Sequence, residues 1–199
     1  NTDLGFFAEN DLTLGAITLT AGARADRTSI RDGFFIARGP TGTVVSELAF
    51  PNRADWEGSF RGGALARLGG GLRLRAAAYT GLRLPTLNEL YRPFVVFPVT
   101  TQANAALRNE RLEGFEAGVD YTPSAAVDLA LTAFDNRVKE PIANVTIGPN
   151  LRQRQNIDAI RAQGIEASAG LTFGELRFAG SLAYTDAAGI DIGRRHATQ

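Results

Sequence analysis

Two arginines alternate with glutamines in "NLRQRQN", and this pair, Arg152 and Arg154, could bind an anion or simply be solvated in a polar loop. A second candidate is Thr86-Leu87-Asn88-Glu89, which fits the Ser/Thr-x-x-Glu capping box, with Tyr91 close behind. Pro93 follows so soon that the segment is read as a polar loop holding at most one helical turn. "LGGGLRL" is glycine-rich but lacks the Lys-Ser/Thr of a phosphate cradle and is read as a tight turn. With no cysteine and one histidine, His196, thiol chemistry is excluded and most zinc and Ser-His-Asp arrangements go with it. Carboxylates are plentiful, yet none stands with a nucleophile or base in a recognisable arrangement. No catalytic, metal or cofactor site is read, and no enzymatic activity is expected. Lys+Arg and Asp+Glu both number 21, so the basic excess that nucleic-acid binding needs is missing.

The elements that must position these residues are strands. Alternation with a period of two recurs along the chain in about eight segments. Ile17, Leu19 and Ala21 oppose Thr18, Thr20 and Arg24; Leu72 and Leu74 oppose Arg73 and Arg75; Ile165, Ala167 and Leu171 oppose Glu166, Ser168 and Thr172. The other segments run over Gly5 to Leu14, Trp56 to Leu68, Phe115 to Tyr121, Val127 to about Val145, and Leu176 to Tyr184. Several span about 12 residues or more, against about 5 to 6 for soluble strands. The fold class is therefore all-β, an antiparallel up-and-down meander of long strands.

Connections alternate in length. Short turns fall at Gly15-Ala16, Gly69-Gly70-Gly71, Pro123 to Ala126 and Gly174-Glu175. Long ones cover roughly Arg31 to Asn52, Thr86 to Leu112 and Thr146 to Gln155, so one end of the sheet carries all the loops. The polar face bears full charges in mid-strand (Arg24, Arg61, Arg73, Arg75, Glu116 and Glu166), which a dry core would not accept unpaired. The other face is Leu, Ala, Val and Phe, with Tyr121, Phe173 and Phe178 beside the short turns, as in an interfacial aromatic girdle. No run of about 18 apolar residues suggests a membrane helix, but that test does not see barrels. A membrane barrel fits best. A complete small barrel of eight strands, acting as anchor or adhesin, and a soluble β-sandwich binding module remain as alternatives.

Three segments, Leu72 to Tyr91, Asn104 to Gly118 with the hairpin after it, and Asn156 to Ala187 with its "YTDA" ending, together resemble the C-terminal barrel of TonB-dependent outer-membrane receptors. In "LRLRAAAYTGLRLPTLNELY" the matching residues are Gly81, Arg83, Pro85, Leu87, Glu89, Leu90 and Tyr91, while Leu82 and Leu84 replace the usual Phe and Ala. Asn104, Leu107, Glu110, Phe115, Glu116 and Gly118 match a second motif, with Ala105 and Asn109 where prolines are common. Asn156, Gly164, Glu166 and Tyr184-Thr185-Asp186-Ala187 match a third.

The resemblance implies a piece of a transmembrane barrel of about 22 strands. Residues 1–199 would form a partial barrel domain, with the plug domain and closing strands outside it. It implies the outer membrane of a Gram-negative bacterium, contact with its lipid, and uptake energised by the TonB complex through the plug. The implied substrate is a small molecule, first a ferric siderophore or similar metal chelate. Arg61, Arg73, Arg75, Arg83 and Glu116 would face the lumen along the transport path. Asn88, Glu89, Tyr91, Arg152 and Arg154 would belong to extracellular loops. "FVVFPV", Phe94 to Val99, would either pack over other loops or offer ligand an apolar patch.

Overall fold

The computed structural model describes residues 1–190; His196 and the terminal "GRRHATQ" lie outside the described residues. The chain opens with a long hairpin, β1 (Thr2–Leu14) and β2 (Ile17–Ile30), followed by a small one, β3 (Gly33–Arg38) and β4 (Val44–Phe50). Then come β5 (Arg53–Gly69) and β6 (Leu72–Arg83), and a connection holding α1 (Leu87–Tyr91), β7 (Phe94–Val96) and β8 (Val99–Gln102). Next are β9 (Glu110–Ser124) and β10 (Val127–Lys139), a second small hairpin of β11 (Ile142–Gly148) and β12 (Leu151–Asn156), and finally β13 (Ala159–Phe173) and β14 (Leu176–Ile190).

The eight long strands form one antiparallel sheet in the order β1-β2-β5-β6-β9-β10-β13-β14. Each long strand pairs with its predecessor among them, so the four short turns share one end and the three long connections the other. At the β5–β6 turn, Gly69, Gly70 and Gly71 have φ of 84°, 57° and 81°, left-handed values that three successive side chains could not share cheaply. The sheet is not closed, since β1 and β14 are its two edges. That removes the complete eight-stranded barrel as a description of the described residues.

Pairing register fixes which side chains share a face. Glu9, Gly22, Arg61, Tyr79, Gly114 and Asn136 form one row across six strands on the polar face. On the opposite face Leu74, Leu129 and Leu131 are exposed, and so are Tyr121, Phe173 and Phe178 near the short turns. Leu131 is 47% and Leu182 66% exposed, whereas the Asp120 side chain on the polar face is only 18% exposed. Other charges on the polar face are open, with the Arg61 side chain 61% and that of Arg73 47% exposed, so neither face of the sheet is a dry core. Among the described residues no second sheet covers the apolar face, so the sandwich alternative fails. The buried core lies instead at the long-loop end, where Leu90, Tyr91 and Leu107 pack with Ile30, Phe50 and Ile142.

One boundary differs from the sequence expectation. The strand starting at Val127 stops at Lys139 rather than near Val145, because Glu140 takes φ 54° and Pro141 follows, and Ile142–Gly148 joins another sheet. Glycines on the polar face give room for long neighbouring side chains. A Cβ added at Gly118 would come within 2.8 Å of Arg75 Cζ and 2.9 Å of the Leu131 carbonyl oxygen. A Cβ at Gly180 would meet nothing within 4 Å. Gly118→Ala is therefore expected to destabilise by about 1–3 kcal/mol through overpacking, with Gly180→Ala close to neutral. Urea unfolding of the natural polypeptide in detergent measures the difference.

Candidate functional site

The long-loop end is organised around Arg83. It is the last of the 12 residues of β6, beyond the roughly 9–11 that a tilted strand needs to cross a bilayer. Its guanidinium donates from Nε and Nη2 to the two Glu110 oxygens, both at 2.6 Å. From Nη1 it donates to Glu89 Oε2 at 3.1 Å. Glu89 also accepts from the Thr86 backbone N–H at 2.8 Å, while Thr86 Oγ1 accepts from the Glu89 N–H at 3.2 Å. The capping box is thus formed, and it starts a single helical turn at Leu87. Glu110 takes one further hydrogen bond, 2.7 Å long, from the backbone N–H of Ile142. One cation thereby joins the tops of β6 and β9 to α1 and to the start of β11.

Electrostatics follow from this geometry. Hydrogen bonds from Arg83 hold the Glu110 carboxyl below its ordinary range, against burial, with help from the Ile142 N–H. Burial pushes Glu89 up, but Arg83 and Thr86 together outweigh it and leave its pKa lowered. Arg83 itself is raised, first by Glu110 and then by Glu89.

The loops above this cluster are joined to one another. β8 pairs in parallel with β12, through Leu151↔Thr100 to Gln153↔Gln102, giving a four-stranded sheet in the order β11-β12-β8-β7. Arg154 donates to the main-chain carbonyls of Asn88 and of Arg92, the latter at 3.1 Å, and its guanidinium lies 4.9 Å from the centre of the Phe94 ring. Asn104 Nδ2 donates to the Arg154 carbonyl at 2.9 Å, and Asn156 Nδ2 to the Arg108 carbonyl at 3.1 Å.

The residues singled out in the sequence therefore take different places. Arg83 and Glu89 come together. Asn88 and Arg154 meet through a backbone carbonyl, so Arg154 serves the loop structure. Tyr91 is largely buried against Phe50, with ring centres 4.4 Å apart. Arg152 is exposed and makes no side-chain hydrogen bond or ion pair with another described residue. In the "FVVFPV" run, Val95, Val96 and Phe97 are exposed at the edge strand of the loop sheet, with Phe97 93% exposed.

On the polar face Arg75 reaches Asp120 at 3.3 Å and Glu116 at 3.9 Å, and donates to Thr132. Arg73 lies 3.9 Å from Asp120, and Arg61 pairs with Glu9. Asp120 and Glu9, the partners that keep this face paired, were not singled out from the sequence. The register that brings them opposite the arginines has no local signal.

Removing Arg83 should leave two partly buried carboxylates facing each other. Arg83→Gln is expected to loosen residues 84–109 by about 1–3 kcal/mol, read as faster amide exchange in α1, while Arg152→Gln leaves exchange there unchanged. Because both carboxyl pKa values are lowered in the folded state, the clamp stabilises fully above the ordinary Glu range of about 4.3. It is lost as pH falls below that through the folded values, so acid should mimic Arg83→Gln.

Comparison with known proteins places this architecture. The family model described as "TonB dependent receptor-like, beta-barrel" matches residues 1–197. A curated relative, the probable hemoglobin and hemoglobin-haptoglobin-binding protein 3 of Haemophilus influenzae, is 28% identical over 116 residues, covering 53% of this chain and 11% of its own length. The Serratia marcescens hemophore receptor HasR, solved with its hemophore HasA and heme, aligns with a TM-score of 0.73 at 20% identity, over 94% of this chain and 34% of that one. The FrpB iron transporter of Neisseria meningitidis aligns at 0.67 and 18% identity, over 94% of this chain and 26% of its own. The chain thus spans about a third or less of the length of these proteins. With an open antiparallel meander of matching topology and a family match along nearly its whole length, this chain belongs to the TonB-dependent receptor-like β-barrel family.

Proposed function

We propose that this chain supplies part of the wall and three surface loops of an outer-membrane receptor of a Gram-negative bacterium, which takes up a scarce metal chelate with energy relayed by TonB. The observation that carries the reading is an apolar face left open on interior strands: Leu74 and Leu131 are exposed with no described element packed over them, while the opposite face carries the ion-paired charges. A surface of that kind suits hydrocarbon outside and water inside. In this reading the long-loop end faces outward and the short turns face the periplasm. Arg61, Arg73, Arg75, Arg83 and Glu116 line the transport path, and their ion pairs hold polar surface in place along it. Asn88, Glu89 and Arg152 belong to the extracellular loops, with Tyr91 and Arg154 supporting them from beneath. The plug that contacts TonB belongs to another part of the polypeptide.

The substrate we infer is a ferric siderophore or a similar chelate, in keeping with an iron transporter among the structural neighbours. Haem, free or carried by a protein, is the second reading, favoured by the haemoglobin-binding relative. Uptake by cells relying on the natural polypeptide separates the two. Under iron limitation, growth on ferric siderophore that stops when TonB is inactivated is the expected result. Growth on haem alone would select the second reading, and growth independent of TonB on either source would contradict both.

A further inference from the structure

The apolar face is not apolar to its top. Near the long-loop end it bears Glu113 on β9, Asp135, Arg137 and Lys139 on β10, and Arg161 on β13, all on the same side by register. Four of these neutralise in pairs, Arg161 with Asp135 and Lys139 with Glu113. Arg137 stands between them and makes no hydrogen bond or ion pair with any described residue. Its Nε is buried without a partner, and it is the one such buried side-chain atom among the described residues. An unpaired guanidinium with a desolvated N–H is costly unless something absent from the chain completes it.

The surroundings indicate what that is. Arg137 and Arg161 line one end of a crevice of about 770 Å³; Phe60 closes the other end of their register row, and Ala78 and Phe115 form the wall one same-face row closer to the short turns. Main-chain pairing between β5 and β6 ends at Arg61↔Tyr79, just below Phe60, where Thr80 Oγ1 takes the Phe60 N–H at 2.8 Å instead. The apolar wall is continuous with the exposed Leu, Ala and Phe surface. From Val127 at the short-turn end to Arg137, about ten residues tilted by about 40° rise about 25 Å, the height of the apolar band of such a barrel. The charged end therefore lies at the headgroup level. All five strands that line the crevice are interior to the sheet, so its walls are complete in this chain.

We propose that this crevice binds one membrane lipid with an anionic phosphate head. The phosphate sits on Arg137, and an acyl chain lies along Phe60, Ala78 and Phe115. The proposal rests on the reading of this face as lipid-exposed. A planar guanidinium offers a phosphate two parallel N–H donors, whereas a zwitterionic head brings its own cation against Arg161 and Lys139. Lipid is favoured over a free anion because the crevice continues into apolar wall below the charges.

The test is native mass spectrometry of the natural polypeptide in mixed detergent micelles, with dioleoyl phosphatidic acid or dioleoyl phosphatidylcholine added, and inorganic phosphate as competitor. Wild type should retain phosphatidic acid at least about fivefold over phosphatidylcholine. Arg137→Gln should lose that preference, Arg137→Lys should keep part of it, and Arg152→Gln should keep all of it. Arg137→Gln removes no hydrogen bond or ion pair among the described residues and keeps part of the packing, so folding, checked by circular dichroism, should be unaffected. Equal retention by Arg137→Gln overturns the proposal, and so does complete displacement by inorganic phosphate, which would mark an anion site without a lipid. Partition of the same samples into vesicles is measured alongside. Failure to partition sinks the membrane reading itself, while partition without headgroup preference sinks only this site.

Discussion

Everything in this chain follows from backbone hydrogen bonds that have to be completed within the sheet. A strand wall facing hydrocarbon has no water to satisfy a stray N–H or C=O, so each long strand must be paired along both sides. The interior long strands meet that demand over most of their length, except that β5 pairs with β6 only from Arg61 to Gly69. Long unbroken ladders in turn impose a strict period of two, and the period makes one face uniformly apolar and the other free to carry charge. The edges β1 and β14 lack this completion on one side, which is where further wall strands of a barrel would join.

Charge on the inner face then becomes a packing question. Arginines on this face lie across neighbouring strands, and they do so over glycines: Arg61 over Gly22 and Arg75 over Gly118. The carboxylates stand one or two strands away to receive them. A wet lumen tolerates such pairs at little gain in stability, so their role is to fix where polar groups project rather than to hold the wall together. Stability at the loop end is of another kind. There a small apolar core, a capped turn and one shared guanidinium hold three connections in a common arrangement. The result is a surface whose loops are built before any ligand arrives, which lowers the ordering cost of binding.

Much of this was legible in the sequence because it is local. Alternation gave the strands and their faces, glycine clusters gave the turns, and Thr86-x-x-Glu89 gave the cap. What could not be read was non-local. Nothing near Thr100 announces that it will pair in parallel with Leu151, and nothing near Glu110 that it shares Arg83 with Glu89. Tyr91 reads only as a residue of an extracellular loop, and nothing near it announces that Phe50, over forty residues earlier, packs against its ring. Read from the sequence, the strand starting at Val127 also runs past its true end at Lys139, although "RVKEPIANV" breaks the alternation and its Glu-Pro step signals the bend. The charges at the top of the apolar face interrupted the pattern and were passed over, although in the proposed reading the interruption is where hydrocarbon gives way to headgroups.

The central claim is that one face of the sheet meets lipid and the other water, and a single scan tests it. These 199 residues contain no cysteine, so single cysteines can be placed from Leu129 to Ala133 in the natural polypeptide once any cysteine elsewhere in it is replaced by serine. After reconstitution in vesicles, spin labels at Leu129, Leu131 and Ala133 should relax with oxygen dissolved in the bilayer. Labels at Ala130 and Thr132 should respond to a water-soluble nickel chelate. Accessibility that fails to alternate, or odd positions that respond to the nickel chelate, would contradict the account.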